Sequence, residues 1–167
     1  MKKITILFLF QTIFSFAQDF KTPYEKGNGN QTATYEEMVK FYDDLDKNFE
    51  SISVVEKGKD DNGEPIRVVI FNVSKTKKFT VLNPVILINN GIHPGESDGI
   101  DATMMLMRDL ALGKIKVPQN TKVAAIEAYN ISGMLRRGKF SRANQNGPEE
   151  HGFRGNARNF DLNRDFI

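Results

Sequence analysis

The amino-acid sequence predicts an α/β domain, and three stretches carry that prediction. Val85-Ile86-Leu87-Ile88 is a continuous apolar run without polar alternation, as expected of a strand covered on both faces inside an α/β sheet. Directly after it, Ile100, Met104, Met107 and Leu110 recur at the spacing of one buried helix face. Ile52 to Glu56 and Ile66 to Val73 are rich in β-branched residues and flank Asp60-Asp61-Asn62-Gly63, a turn signal for a pair of strands. With 167 residues, 40% of them hydrophobic and 26% charged, the chain can bury a real core and is neither a disordered polyelectrolyte nor a multi-span membrane protein.

Residues 1–17 read as a secretory signal. Lys2 and Lys3 give a positive start, Ile4 to Phe16 is largely apolar, and Ser15-Phe16-Ala17 offers small residues for cleavage after Ala17. The run is shorter than the roughly 20 residues of a membrane span, so export to the periplasm or medium is expected and a stable membrane anchor is not. The 23 Lys and Arg against 21 Asp and Glu come to parity once Lys2 and Lys3 leave, which removes the global argument for a nucleic-acid partner. There is no cysteine, hence no disulfide framework, thiolate metal site or Cys nucleophile.

Residues 18–33 are polar and rich in Gly and Asn, a leader or a loop laid over the domain proper, which is expected over 34–167. Thr34 and Glu37 form a capping box ahead of Met38, Phe41, Tyr42, Leu45 and Phe49, spaced as one buried helix face. The Lys75 to Lys78 cluster reads as a solvated loop or strand end. The apolar run at 85–88 should lie inside the complete sheet, be left as an uncovered edge in this chain by itself, and deliver His93 and Glu96 to the sheet's carboxyl end, where α/β proteins bind ligands. The helix that follows is expected to begin near Ser97 or Asp98 and to end at Gly113.

His93-Pro94-Gly95-Glu96 is an H-x-x-E pair. A tight turn can aim one imidazole nitrogen and one carboxylate at a common centre about 2 Å from each, the distance zinc requires, although the same residues also suit a helix start. A second strand candidate, Val123 to Tyr129, leads through Asn130-Ile131-Ser132-Gly133 into a long polar loop reaching Asn159. The loop carries Arg136, Arg137, Lys139, Arg142, Arg154 and Arg158 against Glu149 and Glu150, a set that suits either an anionic ligand or solvent. It ends in Asp161-Leu162-Asn163-Arg164-Asp165-Phe166, where an Arg fork beside an Asn amide could grip a carboxylate by parallel hydrogen bonds.

Taken jointly, H-P-G-E, the strand before it, Asn130 to Gly133, Arg154 and Asp161-Leu162-Asn163-Arg164 resemble the zinc metallocarboxypeptidases typified by carboxypeptidases A and B. The resemblance covers about Thr34 to the end, the first half of the family's catalytic domain. It implies a three-layer α/β/α fold with a mostly parallel mixed sheet, hydrolysis of C-terminal residues from peptides, and zinc. His93 and Glu96 would be metal ligands and Asp161 the carboxylate orienting the ligand imidazole. Arg154 would stabilise the oxyanion, while Asn163 and Arg164 would bind the free C-terminal carboxylate of a peptide substrate. Asn130-Ile131-Ser132-Gly133 departs from the family's N-P-D-G. No counterpart of the third ligand or of the general base is found before Ile167, so a truncated, inactive piece of a longer enzyme is the expectation; His151 is a poor substitute ligand by position. Two rivals stay open: a zinc amidohydrolase deacylating an acyl-amino acid, and a non-catalytic exported carboxylate-binding module.

Overall fold

The structure, a computed structural model, describes residues 19–74, 85–118 and 121–164. The expected signal at 1–17, the Lys75 to Lys78 cluster, Asp165 and Phe166 lie outside those residues. Nothing described in 18–33 is a free leader. Thr22 caps the short helix α1 (Pro23–Lys26) through a reciprocal box with Glu25, and Arg108 reaches across to Glu25 and to the carbonyl of Phe20. Thr22, Thr32 and Ala33 are buried, so this segment is the loop laid over the domain rather than a detached leader.

Helix α2 (Tyr35–Asn48) starts at the Thr34 and Glu37 capping box and buries Met38, Phe41, Tyr42 and Leu45, the face its spacing predicts. Strands β1 (Ile52–Lys59) and β2 (Pro65–Asn72) form an antiparallel pair that turns at Asp60 to Gly63. The Asp60 Oδ1 accepts from the backbone amides of Asn62 and Glu64, and Gly63 takes the left-handed conformation the turn needs. Strand β3 (Val85–Asn89) leads to helix α3 (Asp98–Ala111), which buries Ile100, Met104, Met107 and Leu110 and ends at Gly113 with φ of 71°. Strand β4 (Lys122–Ile126) is followed by a short helix, α4 (Ile131–Leu135), that sequence periodicity does not reveal because it spans barely one turn.

The sheet order is β1-β2-β4-β3, with β2 antiparallel to both β1 and β4, and β3 parallel to β4. The fold is therefore α/β with a mixed sheet, in which one of the three pairings among the described strands is parallel. Helices α2, α3 and α4 share one apolar core with Ile52, Val69, Phe71, Val123 and Ala125, all from one face of the sheet. Among the described residues this supplies two of three expected layers; Ile70 and Ala124, on the opposite face, are buried outside that cluster.

Val85 to Ile88 stands as expected of this portion of the domain by itself. β3 occupies an edge among the described strands, and Val85, Ile86 and Leu87 are 48%, 54% and 64% exposed. An apolar run reports the preference of its side chains for cover on both faces, not its place in the strand order.

Candidate metal centre

The site forms where β3 and β4 run out side by side. Tyr129 donates its backbone N–H to the carbonyl of Asn90, and Asn130 to that of Gly91, so the two strands remain paired beyond their ends. Gly91 sits at φ of 64°, and a Cβ there would come within 3.0 Å of Ile100, so glycine allows the chain to bend toward α3. The next turn is closed by the Glu96 N–H donating to the His93 carbonyl at 2.8 Å. That closure brings the side chains three residues apart onto one side, with His93 Nδ1 3.5 Å from Glu96 Oε2.

His93 is 4% exposed and its ring is held from the other edge. Nε2 lies 2.6 Å from Asp161 Oδ1 across 68 residues of chain, which leaves Nδ1 as the ring nitrogen facing Glu96. Asp161 is in turn fixed by three more donors: Arg154 Nε and Nη2 at 3.0 and 2.8 Å to Oδ2, and the Asn163 backbone N–H at 3.1 Å to Oδ1. The His93 imidazole first, then Arg154 and the Asn163 amide, hold the Asp161 carboxyl well below the usual carboxylate range, so it stays an anion. Arg154, Asp161, His93, Glu96 and Arg142 thus form a continuous line of pairings, closed at its far end by Arg142 Nη1 at 2.8 Å from Glu96 Oε1.

Asn130 joins the two halves of this line. Its Oδ1 caps α4 by accepting from Gly133 N–H at 2.8 Å, while Nδ2 donates to the Arg154 carbonyl at 3.0 Å and lies 3.4 Å from that of Ile92. Gly133 is obligatory for packing: a Cβ there would sit 2.5 Å from the Phe153 carbonyl. Ser132, where the family's N-P-D-G has an aspartate, donates its hydroxyl to Asp60 Oδ2 at 2.6 Å and its N–H to the same oxygen at 3.1 Å. An aspartate would instead place a second carboxylate against Asp60, so the departure is matched by the turn it touches.

The polar loop is largely committed to internal partners. Arg137 donates to the carbonyls of Thr32 and Ala33, Arg136 stacks 4.3 Å over Phe153, and Lys139 pairs with Glu149. These side chains therefore build the loop rather than await an anion. His151 is 1% exposed in a bridge with Gly138, and its ring meets Ser141; among the described residues it makes no contact with His93 or Glu96. Asn163 and Arg164 lie exposed on a 3-10 turn (Leu162–Arg164), with Arg164 Nη1 donating to the Asn163 carbonyl. The turn places them beside Asp161, and among the described residues neither side chain makes a hydrogen bond or ion pair to His93 or Glu96. Two side chains that frame the site have no individual role in the sequence analysis: Asn130 stands there only as part of the stretch that carries the resemblance, and Arg142 carries no signal beyond its charge.

Two donors, each about 2.0–2.1 Å from a tetrahedral ion, stand about 3.4 Å apart. The 3.5 Å between His93 Nδ1 and Glu96 Oε2 fits that span. Among the described residues, no group of three or more His, Asp or Glu side chains is arranged to hold a metal, so the pair offers two donors.

No protein-family model matches the sequence and no curated protein does. Solved structures do match. Carboxypeptidase A from Helicoverpa armigera superposes with a TM-score of 0.63 over 83% of this chain at 21% identity. The chain has the metallocarboxypeptidase fold. A metallo-carboxypeptidase from Burkholderia cenocepacia gives a TM-score of 0.60 over 80% of the chain at 20% identity. Bovine thrombin-activatable fibrinolysis inhibitor, solved in complex with a tick carboxypeptidase inhibitor, gives 0.59 over 83% at 15% identity. The matched regions are 34%, 33% and 44% of those three chains, so this chain spans less than half the length of each.

Proposed function

We propose that the chain supplies the His93 and Glu96 side of a zinc site in a metallocarboxypeptidase, an exported hydrolase that removes C-terminal residues from peptides. One observation carries the reading: in this fold, His93 turns Nδ1 toward Glu96 while Asp161 occupies Nε2. An imidazole that gives its Nε2–H to a carboxylate can offer Nδ1 to a metal. Zinc, when bound, would act as a Lewis acid on the scissile carbonyl.

This chain's own residues then take distinct parts. Asp161 accepts the Nε2 proton of His93 and keeps the ring aimed. Arg154 spends Nε and Nη2 on Asp161, and its side chain is still 42% exposed, so the outer edge of the guanidinium can meet developing negative charge on substrate. Asn163 and Arg164, exposed beside that carboxylate, suit the free C-terminal carboxylate of a peptide. Residues 1–17 would direct export; among the described residues no helix is long and apolar enough to cross a membrane.

The test is zinc binding and peptide binding by the chain. Equilibrium dialysis should show one weak zinc site that His93→Ala and Glu96→Ala each abolish. Calorimetry should show preference for peptides with a free C-terminal carboxylate over amidated ones, lost in Arg164→Ala. Zinc uptake unchanged by both ligand substitutions would overturn the metal assignment, and equal binding of free and amidated peptides would overturn the substrate class.

A further inference from the structure

Four asparagines in this chain are followed directly by glycine: Asn28, Asn62, Asn90 and Asn146. By sequence they are equivalent candidates for loss of the side-chain amide, because glycine offers its main-chain nitrogen without a side chain to obstruct it. The fold separates them. The glycine nitrogen must leave its own hydrogen bond and meet the asparagine Cγ, so whatever holds the pair opposes the reaction.

Three pairs are held. At Asn62 the turn commits three successive amides to Asp60: those of Asn62 and Glu64 to Oδ1 at 2.9 and 2.8 Å, and that of Gly63 to the carbonyl at 3.1 Å. At Asn28 the Gly29 N–H donates to the Tyr24 carbonyl at 2.9 Å, and the Asn30 N–H closes the same turn on the Gly27 carbonyl at 3.0 Å. Asn90 is 3% exposed, its Oδ1 accepts from Thr103 Oγ1 at 3.2 Å, and its carbonyl accepts from the Tyr129 N–H. Burial there also keeps out the water that a later step consumes.

Asn146 differs. It is exposed, and among the described residues no hydrogen bond engages its side chain or the Gly147 N–H. The chain is fastened on either side instead. Gln145 Nε2 donates to the Gly95 carbonyl at 2.8 Å, on the turn between His93 and Glu96, and the Glu149 N–H donates to the Asn30 carbonyl at 2.9 Å. Asn146 and Gly147 are the slack between two fixed points.

We infer that Asn146 is a site of spontaneous deamidation whose product loosens the polar loop from the turn carrying His93 and Glu96. The Gly147 nitrogen gives its proton to solvent and bonds to Asn146 Cγ; the Cγ–Nδ2 bond breaks, and Nδ2 leaves as ammonia with a proton from solvent. Water then opens the cyclic imide, its hydroxyl joining one of the two ring carbonyl carbons and its proton the nitrogen. Breaking the nitrogen–Cγ bond gives aspartate, and breaking the nitrogen bond to the main-chain carbon gives isoaspartate. Water is the one co-reactant, and the chemistry needs neither metal nor substrate.

Either product adds a carboxylate close to Glu149 and Glu150, next to a cavity where Gly147 and Pro148 face Asp98 and Asp101 of α3. Isoaspartate also lengthens the main chain by one carbon directly after Gln145. Both changes oppose the close approach that Gln145 secures at Gly95.

The chain would be aged in mildly alkaline buffer, folded and in urea, then digested under acidic conditions. Mass spectrometry would follow the four Asn-Gly peptides, and enzymatic methylation would count isoaspartate. In the folded chain, Asn146 should convert ahead of the other three; in urea, where the fold no longer distinguishes them, the four should convert at similar rates. Asn146→Ser should remove the fast site and leave the others unchanged. Gly147→Ala, whose added methyl meets the movable end of Asn30 at 3.2 Å, should slow conversion at Asn146. Amide hydrogen exchange over residues 93–96 and 141–147 should be faster in the aged than in the fresh chain, and ageing should not change it in Asn146→Ser. Conversion at Asn146 no faster than at the other pairs in the folded chain, or an equal lead for Asn146 in urea, would overturn its selection by the fold. Conversion at Asn146 with unchanged exchange over residues 93–96 would overturn the loosening.

Discussion

The helical side of the sheet and the loop side of the site are held together by different physics. On the helical side, α2 and α3 bury Leu45, Met104 and Met107 completely, and the contacts are numerous, apolar and individually replaceable. On the loop side, placement depends on a few polar contacts and on glycines that permit backbone to touch backbone: Asn130 to Arg154, Ser132 to Asp60, Gly133 against Phe153. The difference teaches where stability and geometry can be separated. Damage to the first side should lower stability and leave the site's shape intact in the molecules that remain folded; damage to the second should cost less stability and more function.

The sharpest contrast is expected from Leu45→Ala. Its side chain is fully buried in the core, so the variant should lose about 2–5 kcal/mol in urea unfolding, while zinc affinity of the folded fraction stays within about twofold. A large loss of zinc affinity at temperatures where the variant is folded would break the separation.

Gly133→Ala tests the other side. The added methyl meets the Phe153 carbonyl at 2.5 Å and the Asn130 side chain at 2.6 Å, both parts of the frame that carries Arg154. A cost of about 1–3 kcal/mol is expected, smaller than for Leu45→Ala, together with at least tenfold weaker zinc binding because Asp161 is displaced with its arginine. Wild-type zinc affinity in this variant would show that the loop does not set the site.

The smallest effect concerns a buried carboxyl that the helical side does use. Glu127, just past β4, is 1% exposed and receives Arg67 Nε at 3.0 Å on Oε2, while Arg67 also pairs with Asp43 of α2. Burial outweighs the arginine and pushes the Glu127 carboxyl up to about 7. The folded state then binds this proton more tightly than the unfolded chain, whose carboxyl titrates near 4.5. Its contribution to stability is full below that value and is lost as pH rises through 7. The urea midpoint should therefore fall between pH 5 and pH 7.5, and Glu127→Gln should flatten the slope. An equal slope in the variant would remove Glu127 from the account.

Local chemistry was legible in the sequence by itself. The Thr34 and Glu37 box, the spacing of Met38, Phe41, Tyr42 and Leu45, the turn at Asp60 to Gly63 and the Gly113 stop each depend on residues a few positions apart, and each forms where those residues stand. His93 and Glu96 were legible for the same reason, because a four-residue turn brings them to 3.5 Å. Tertiary structure alone decided what depends on distant segments meeting. It placed Val85 to Leu87 on a sheet edge, since hydrophobicity does not specify strand order, and it turned most of the loop's positive charge inward onto carbonyls and carboxylates. It also set Asp161 behind His93 across 68 residues and Arg142 against Glu96, contacts whose closure is determined by the packing of the whole loop on the turn, through Gly95 and Gly152, rather than by any local spacing.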